Sequence, residues 1–180
     1  MRRFALIVCV AVGAVFALLV SRGAPGSGRP DLSRFSTHGR VVRVQGHPGT
    51  LIATRDGRSF YRYATADGRC FAIGSAADAS IGVEACLSSD TFPSIAHPLL
   101  DLSIYESRSH DRSDELTLYR VEGFAADGVA AVGVVNRAGN VGLRVPVSDN
   151  VYVLNNVPPG LTGSIVALDR SGAKLSAPNH

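Results

Sequence analysis

The chain has no tryptophan, one methionine and a single lysine, Lys174, in 180 residues. The other seventeen basic residues are arginines, a skew that points to a GC-rich genome rather than to a mechanism. The signatures of several common chemistries are absent as well. No Cys-x-x-Cys occurs, which argues against a close redox pair. No His-Glu-x-x-His occurs, and His38, His47, His97, His110 and His180 are scattered along the chain, which argues against a histidine-built metal site. No Gly-x-Ser-x-Gly elbow occurs. Ser75 and Asp78 in "IGSAAD" have no histidine partner that a motif can nominate. Charged residues make up 18% of the chain, net charge is +3, and no basic run interleaves with aromatics. That composition excludes a surface that tracks a nucleic-acid backbone. No catalytic residue, metal or cofactor is indicated.

What is present begins with "MRRFALIVCVAVGAVFALLVSRGAPGSGRP". Arg2 and Arg3 precede an unbroken apolar run over residues 4–20. Its seventeen residues reach the lower limit for a membrane-spanning helix, about 17–25, and exceed the usual signal-peptide core of about 7–15. No Ala-x-Ala closes the run, and Cys9 reads as a small apolar residue within it. Residues 1–20 therefore read as a signal-anchor in preference to a cleaved signal peptide. Residues 21–39 are rich in Gly, Pro, Ser and Arg and read as a flexible linker. Residues 1–69 hold eleven Arg against three Asp, net +8, while residues 70–180 net −5. The basic third reads as scattered solvated arginines, with anionic headgroups as the alternative partner.

From Arg40 onward the punctuation is that of an all-β protein. "RDGRSF" recurs eleven residues later as "ADGRCF". Asp-Gly between apolar runs is a strong hairpin signal. Strands are expected near 50–54, 59–65, 69–73 and 81–87, then 100–106, 116–121, 130–135, 141–147 and in "NVYVL" and "GSIVALD". Pro146 marks an edge strand. A single helical turn is allowed near 75–80 or 93–100, and "SRSHDRSDE" reads as a projecting loop. The domain over residues 40–176 is thus a small antiparallel β-sandwich or partly closed barrel after an N-terminal hydrophobic helix. Residues 177–180 form a tail.

Cys70 and Cys86 lie sixteen positions apart with no histidine or third cysteine nearby. That spacing fits neither a redox active site nor zinc, and it predicts a disulfide between neighbouring strands. A disulfide implies an oxidising compartment, with the domain outside the membrane. Asp111, Asp114 and Glu115 are oxygen ligands on one segment, but Arg108 and Arg112 neutralise them and the calcium-loop pattern is missing. In "VPVSDNVYVL", Asp149 and Asn150 read as a turn, with Tyr152 either packed or exposed. Together these three form the candidate interaction surface.

The combination "GRCF…EAC", "ADGVAAVGVV", "VPVSDNVYVL" and "SIVALDRSGAKL" resembles an uncharacterised group of secreted or membrane-anchored β-domain proteins from high-GC Gram-positive bacteria. The resemblance covers residues 59–175 and brings no activity with it. The leading expectation is a non-enzymatic binding module at the membrane or cell surface. It would be held by residues 4–20 or secreted if they are removed, with a protein or cell-surface ligand as partner and no nucleic acid. A hydrolase reading would need some of His97, His110, Asp101 and Asp111 to converge. A sensory ectodomain is the third expectation.

Overall fold

The computed structural model describes residues 30–88, 91–109, 112–158 and 161–175, with backbone alone for 103–109, 112–119 and 162–163. The expected anchor over 1–20, the first part of the linker, and His110, Asp111 and the tail lie outside the described residues. The strands in chain order are β1 (Arg40–Val44), β2 (His47–Arg55), β3 (Arg58–Thr65), β4 (Gly68–Ser75), β5 (Ile81–Leu87), β6 (Leu99–Ser109), β7 (Arg112–Ala125), β8 (Ala131–Asn136), β9 (Val141–Pro146), β10 (Val151–Asn155) and β11 (Leu161–Leu168). They form three antiparallel sheets, ordered β1-β2-β3-β4-β5, β10-β7-β6 and β11-β8-β9. None of the sheets closes into a barrel.

The turns follow from residues that accept a left-handed backbone. Asp56 (φ +47°) and Gly57 (φ +73°) join β2 to β3, and Asp149 (φ +53°) and Asn150 (φ +59°) lead into β10. Positive φ at both central positions is the two-residue hairpin turn whose twist matches the strands it joins. The second Asp-Gly behaves differently from the first. Thr65 pairs with Gly68, so Ala66 and Asp67 make the turn and the glycine opens β4. Pro146 does end an edge strand, β9.

Three expectations are corrected. No helix forms among the described residues. Around 75–80 the Ser75 hydroxyl accepts the Ala77 amide, and Asp78 accepts the Ser80 amide and hydroxyl. These local bonds take the amide donors a helical turn would use. "SRSHDRSDE" is not a projecting loop at its ends, because β6 and β7 continue until Ser109 pairs with Arg112. Asp114 and Glu115 therefore lie within β7. Polar side chains do not prevent this, since strand pairing satisfies the backbone whatever the side chains are.

The third correction concerns the linker, whose described part, residues 30–39, is not free. Leu32 is buried in one core cluster, and Phe35 packs against another. Ser36 donates its amide and hydroxyl to Asp127, whose own amide donates to the Arg34 carbonyl. The packed structure thus begins by Pro30 rather than at Arg40.

The second sheet is covered on both faces. Phe124 and Val151 meet Ile52, Phe60, Phe71 and Ile73 of the first sheet. Val121, Ala125, Tyr152 and Leu154 meet Val132, Val134, Ile165 and Ala167 of the third. An aromatic cluster holds the first interface, with ring centroids at 5.1 Å for Phe71–Phe124 and 5.3 Å for Phe35–Phe71. Such pairs add about 0.5–1.5 kcal/mol each beyond area burial.

Candidate functional site

One face of the first sheet packs on the second sheet. The other carries its own cluster of Val44, Tyr61, Tyr63, Cys70 and Ala72, with Ile81 against it. Side chains alternate along each strand, and register aligns them across strands. Tyr63 pairs with Cys70 and Cys70 with Cys86; Tyr61 pairs with Ala72 and Ala72 with Glu84. Two cross-strand rows result, one ending in a disulfide and the other in a carboxylate.

A cleft of about 320 Å³ opens on this face, lined by Arg43, Val44, Gln45, Tyr61, Ala79 and Ile81. These residues come from both edges of the sheet and from its central strand, so the sheet coils around the cleft. Tyr61, Val44 and Ile81 supply apolar surface. At the rim, Arg43 Nη1 donates to the Gly46 carbonyl at 2.9 Å. That bond uses one of the five guanidinium donors. Gln45 (φ +49°) and Ala79 (φ +56°) both line the cleft in a left-handed conformation that non-glycine residues rarely adopt.

The Cys70–Cys86 disulfide is formed, with S–S 2.02 Å and Cα atoms 4.0 Å apart. Cys70 is fully buried and Cys86 faces solvent. Glu84 Oε1 lies 3.2 Å from Cys86 Sγ, and Thr65 Oγ1 lies 3.6 Å from Cys70 Sγ. The ligand atoms of Cys70, Glu84 and Cys86 all fall within 4.8 Å of one another. The spacing of the cysteines gave no sign of a third ligand. The signal was Glu84-Ala85-Cys86 on a strand, where residues i and i+2 share a face. The Tyr63 hydroxyl is buried here beside Glu84. Burial first, and then the neighbouring Glu84, push its pKa well above the ordinary tyrosine value.

The candidate interaction surface does not survive as a unit. Tyr152 is fully buried. Both faces of its sheet are covered, so β10 has no outward face on which to present it. Its hydroxyl donates to Asp101. Burial raises the Asp101 pKa, and the Tyr152 bond partly offsets this; burial, then Asp101, raises the tyrosine well above its usual value. Asn150 Nδ2 donates inward to the Ala125 carbonyl at 3.0 Å and to Asp127 at 2.9 Å. Only Asp149 remains at the surface, paired with Arg55 at 3.2 Å.

Of the residues named for a hydrolase, His110 and Asp111 lie outside the described residues, and His97 and Asp101 have no hydrogen bond or ion pair to each other. His97 is exposed, while Asp101 lies against Tyr152. Ser75 and Asp78 share an exposed turn whose bonds involve no histidine.

Glu122 was missed. It is fully buried on β7, facing the first sheet, and it pairs with Arg58 of β3 at 3.3 Å and with Arg120. In "LTLYRVEGF" its charge broke the apolar pattern, but only the covering sheet makes that position interior.

In comparisons with protein-family models, curated proteins and solved structures, nothing matches the chain.

Proposed function

We propose that the chain is an extracytoplasmic, non-enzymatic binding module built as stacked sheets of a small β-sandwich. It is held at a membrane by residues 4–20, or secreted where they are removed. The Cys70–Cys86 disulfide supports the oxidising compartment, and the apolar run supports the membrane. The observation that carries the binding role is the cleft at Tyr61. Its volume of about 320 Å³ falls within the range of small-molecule sites, about 300–1,000 Å³, which are mainly apolar with a few placed polar groups. Arg43 and Tyr61 are the titratable residues of its lining. They form no acid–base pair, which favours binding over catalysis. The ligand class that fits has an apolar, preferably aromatic, body and an anionic group within reach of Arg43.

Anilinonaphthalene sulfonate has that chemistry and serves as the probe. Fluorescence titration is expected to give one saturable site, weakened about tenfold or more by Arg43→Ala and blocked by Ala79→Phe. Non-saturable binding, or binding indifferent to both substitutions, would refute the assignment of the cleft.

A further inference from the structure

We propose that Cys70, Cys86 and Glu84 form a redox-gated site for a thiophilic divalent cation of the zinc class. The proposal is independent of the cleft. The three ligand atoms already lie within 4.8 Å of one another, and zinc binds thiolates at about 2.3 Å and carboxylates at about 2.0–2.2 Å. Ligands spaced in this way can converge on one ion with only side-chain adjustment. Cys70 and Cys86 are directly paired across β4 and β5 and Glu84 shares the face of Cys86, so turning the two cysteine side chains apart opens the sulfurs from the bonded 2.02 Å toward a shared ion.

Two further features point to a ligand. The first is the Tyr63 hydroxyl, buried with its ring and lying beside Glu84. It stands in the same cross-strand row as the cysteines, placed to donate to a coordinated carboxylate or to a metal-bound water, as outer-shell groups do. The second is Thr65 Oγ1, 3.6 Å from Cys70 Sγ, placed to donate to a thiolate. Reduction by itself leaves two thiols beside a carboxylate; a covalent S–S bond or a dication held by two thiolates ties the two sulfurs together, so the cluster has two closures.

The exchange between them balances. A dithiol reductant gives two electrons and two protons to the S–S bond, which breaks to two thiols while the reductant becomes a disulfide. The cation then displaces both thiol protons to solvent and takes two thiolates and the Glu84 carboxylate. Cys86 faces solvent, so reductant and ion both have access, and water fills the fourth position.

The test uses the full chain in detergent with Cys9→Ala, so that the only thiols are those of the site. The protein is reduced with a phosphine, exchanged anaerobically and titrated with Co²⁺, whose thiolate charge-transfer band reports sulfur ligation. One equivalent should bind the reduced protein and none the oxidised protein. Glu84→Gln should weaken Co²⁺ binding about tenfold or more while far-ultraviolet circular dichroism stays unchanged. If reduction alone loosens the fold, recovery of the dichroism on adding Co²⁺ supports the site. No recovery overturns it. Equal binding by the oxidised protein, no band in the reduced one, or an unaffected Glu84→Gln variant overturns it equally.

Discussion

A hydrogen atom in place of a side chain at Gly123 lets Tyr152 cross β7 and reach Asp101. The three residues are in register, Tyr152 opposite Gly123 and Gly123 opposite Asp101. A Cβ at 123 would lie 2.7 Å from Tyr152 Cζ and closer still to the tyrosine hydroxyl and the Leu100 carbonyl oxygen. Gly123→Ala is therefore expected to destabilise by about 1–3 kcal/mol through overpacking, read as a lower urea midpoint at unchanged m-value. Tyr152→Phe tests the polar half. It leaves the Asp101 carboxylate buried without its donor, a loss of about 1–3 kcal/mol at neutral pH. The sign of the pH effect follows from Asp101, whose folded pKa is raised. Between the ordinary carboxylate value and that raised value, the folded state binds more protons than the unfolded state, so stability falls as pH rises through the window. The Tyr152 bond opposes the shift, so removing it carries the fall to higher pH and makes it larger. The cost of Tyr152→Phe should be larger at neutral pH than below the ordinary carboxylate pKa; an equal cost at both would mean that Asp101 does not ionise in the fold. The sequence revealed the alternation of "VYVL" but not that both faces of this strand are interior, because cover from a second sheet is a long-range fact.

At the scale of elements, the segment before β1 shows composition overruled by two residues. Gly, Pro, Ser and Arg dominate "SRGAPGSGRPDLSRFSTH", yet Leu32 and Phe35 each enter a core. Asp127 then anchors the irregular backbone at Arg34 and Ser36. Burial pushes the Asp127 pKa up, but hydrogen bonds from Ser36 and Asn150 and the charge of Arg34 outweigh it, and the net shift is downward. A lowered folded pKa gives stability that is present above the unfolded value and is lost as pH falls through the folded one. Asp127→Asn should flatten that acid limb. It should also speed hydrogen exchange at the Ser36 amide about tenfold, the equivalent of one bond to a charged acceptor. Unchanged exchange would show that Phe35 packing alone holds the segment. The hairpins were more legible than the segment. Asp56-Gly57 sits at the turn its chemistry demands, whereas Gln45-Gly46 makes a turn of the same kind in a stretch with no Asn or Asp to announce it. β1 was correspondingly not resolved as a strand of its own.

At the scale of the molecule, alternation separates inward from outward residues but does not say which sheet covers which, so sandwich and barrel could not be told apart from the sequence. The charged contact inside this stacking is Glu122, fully buried between the first and second sheets and paired with Arg58 and Arg120. The two sides of this triad are not equivalent. The arginine side chains keep 27% and 21% of their exposure, and the carboxylate keeps none. Glu122→Leu therefore leaves two cations that can still reach water, and it replaces a buried charge by apolar surface in an interface already lined by Phe60 and Phe124. Such replacements are often close to neutral. The double substitution Arg58→Met with Arg120→Met instead strands the carboxylate, and an uncompensated buried charge costs about 3–5 kcal/mol. The expected order in urea unfolding is wild type close to Glu122→Leu, with the double variant well below both. If Glu122→Leu proves the more damaging change, the triad supports the stacking of the sheets by attraction across the interface. If the expected order holds, the arginines are there to make a buried carboxylate tolerable, and the aromatic cluster keeps the sheets together.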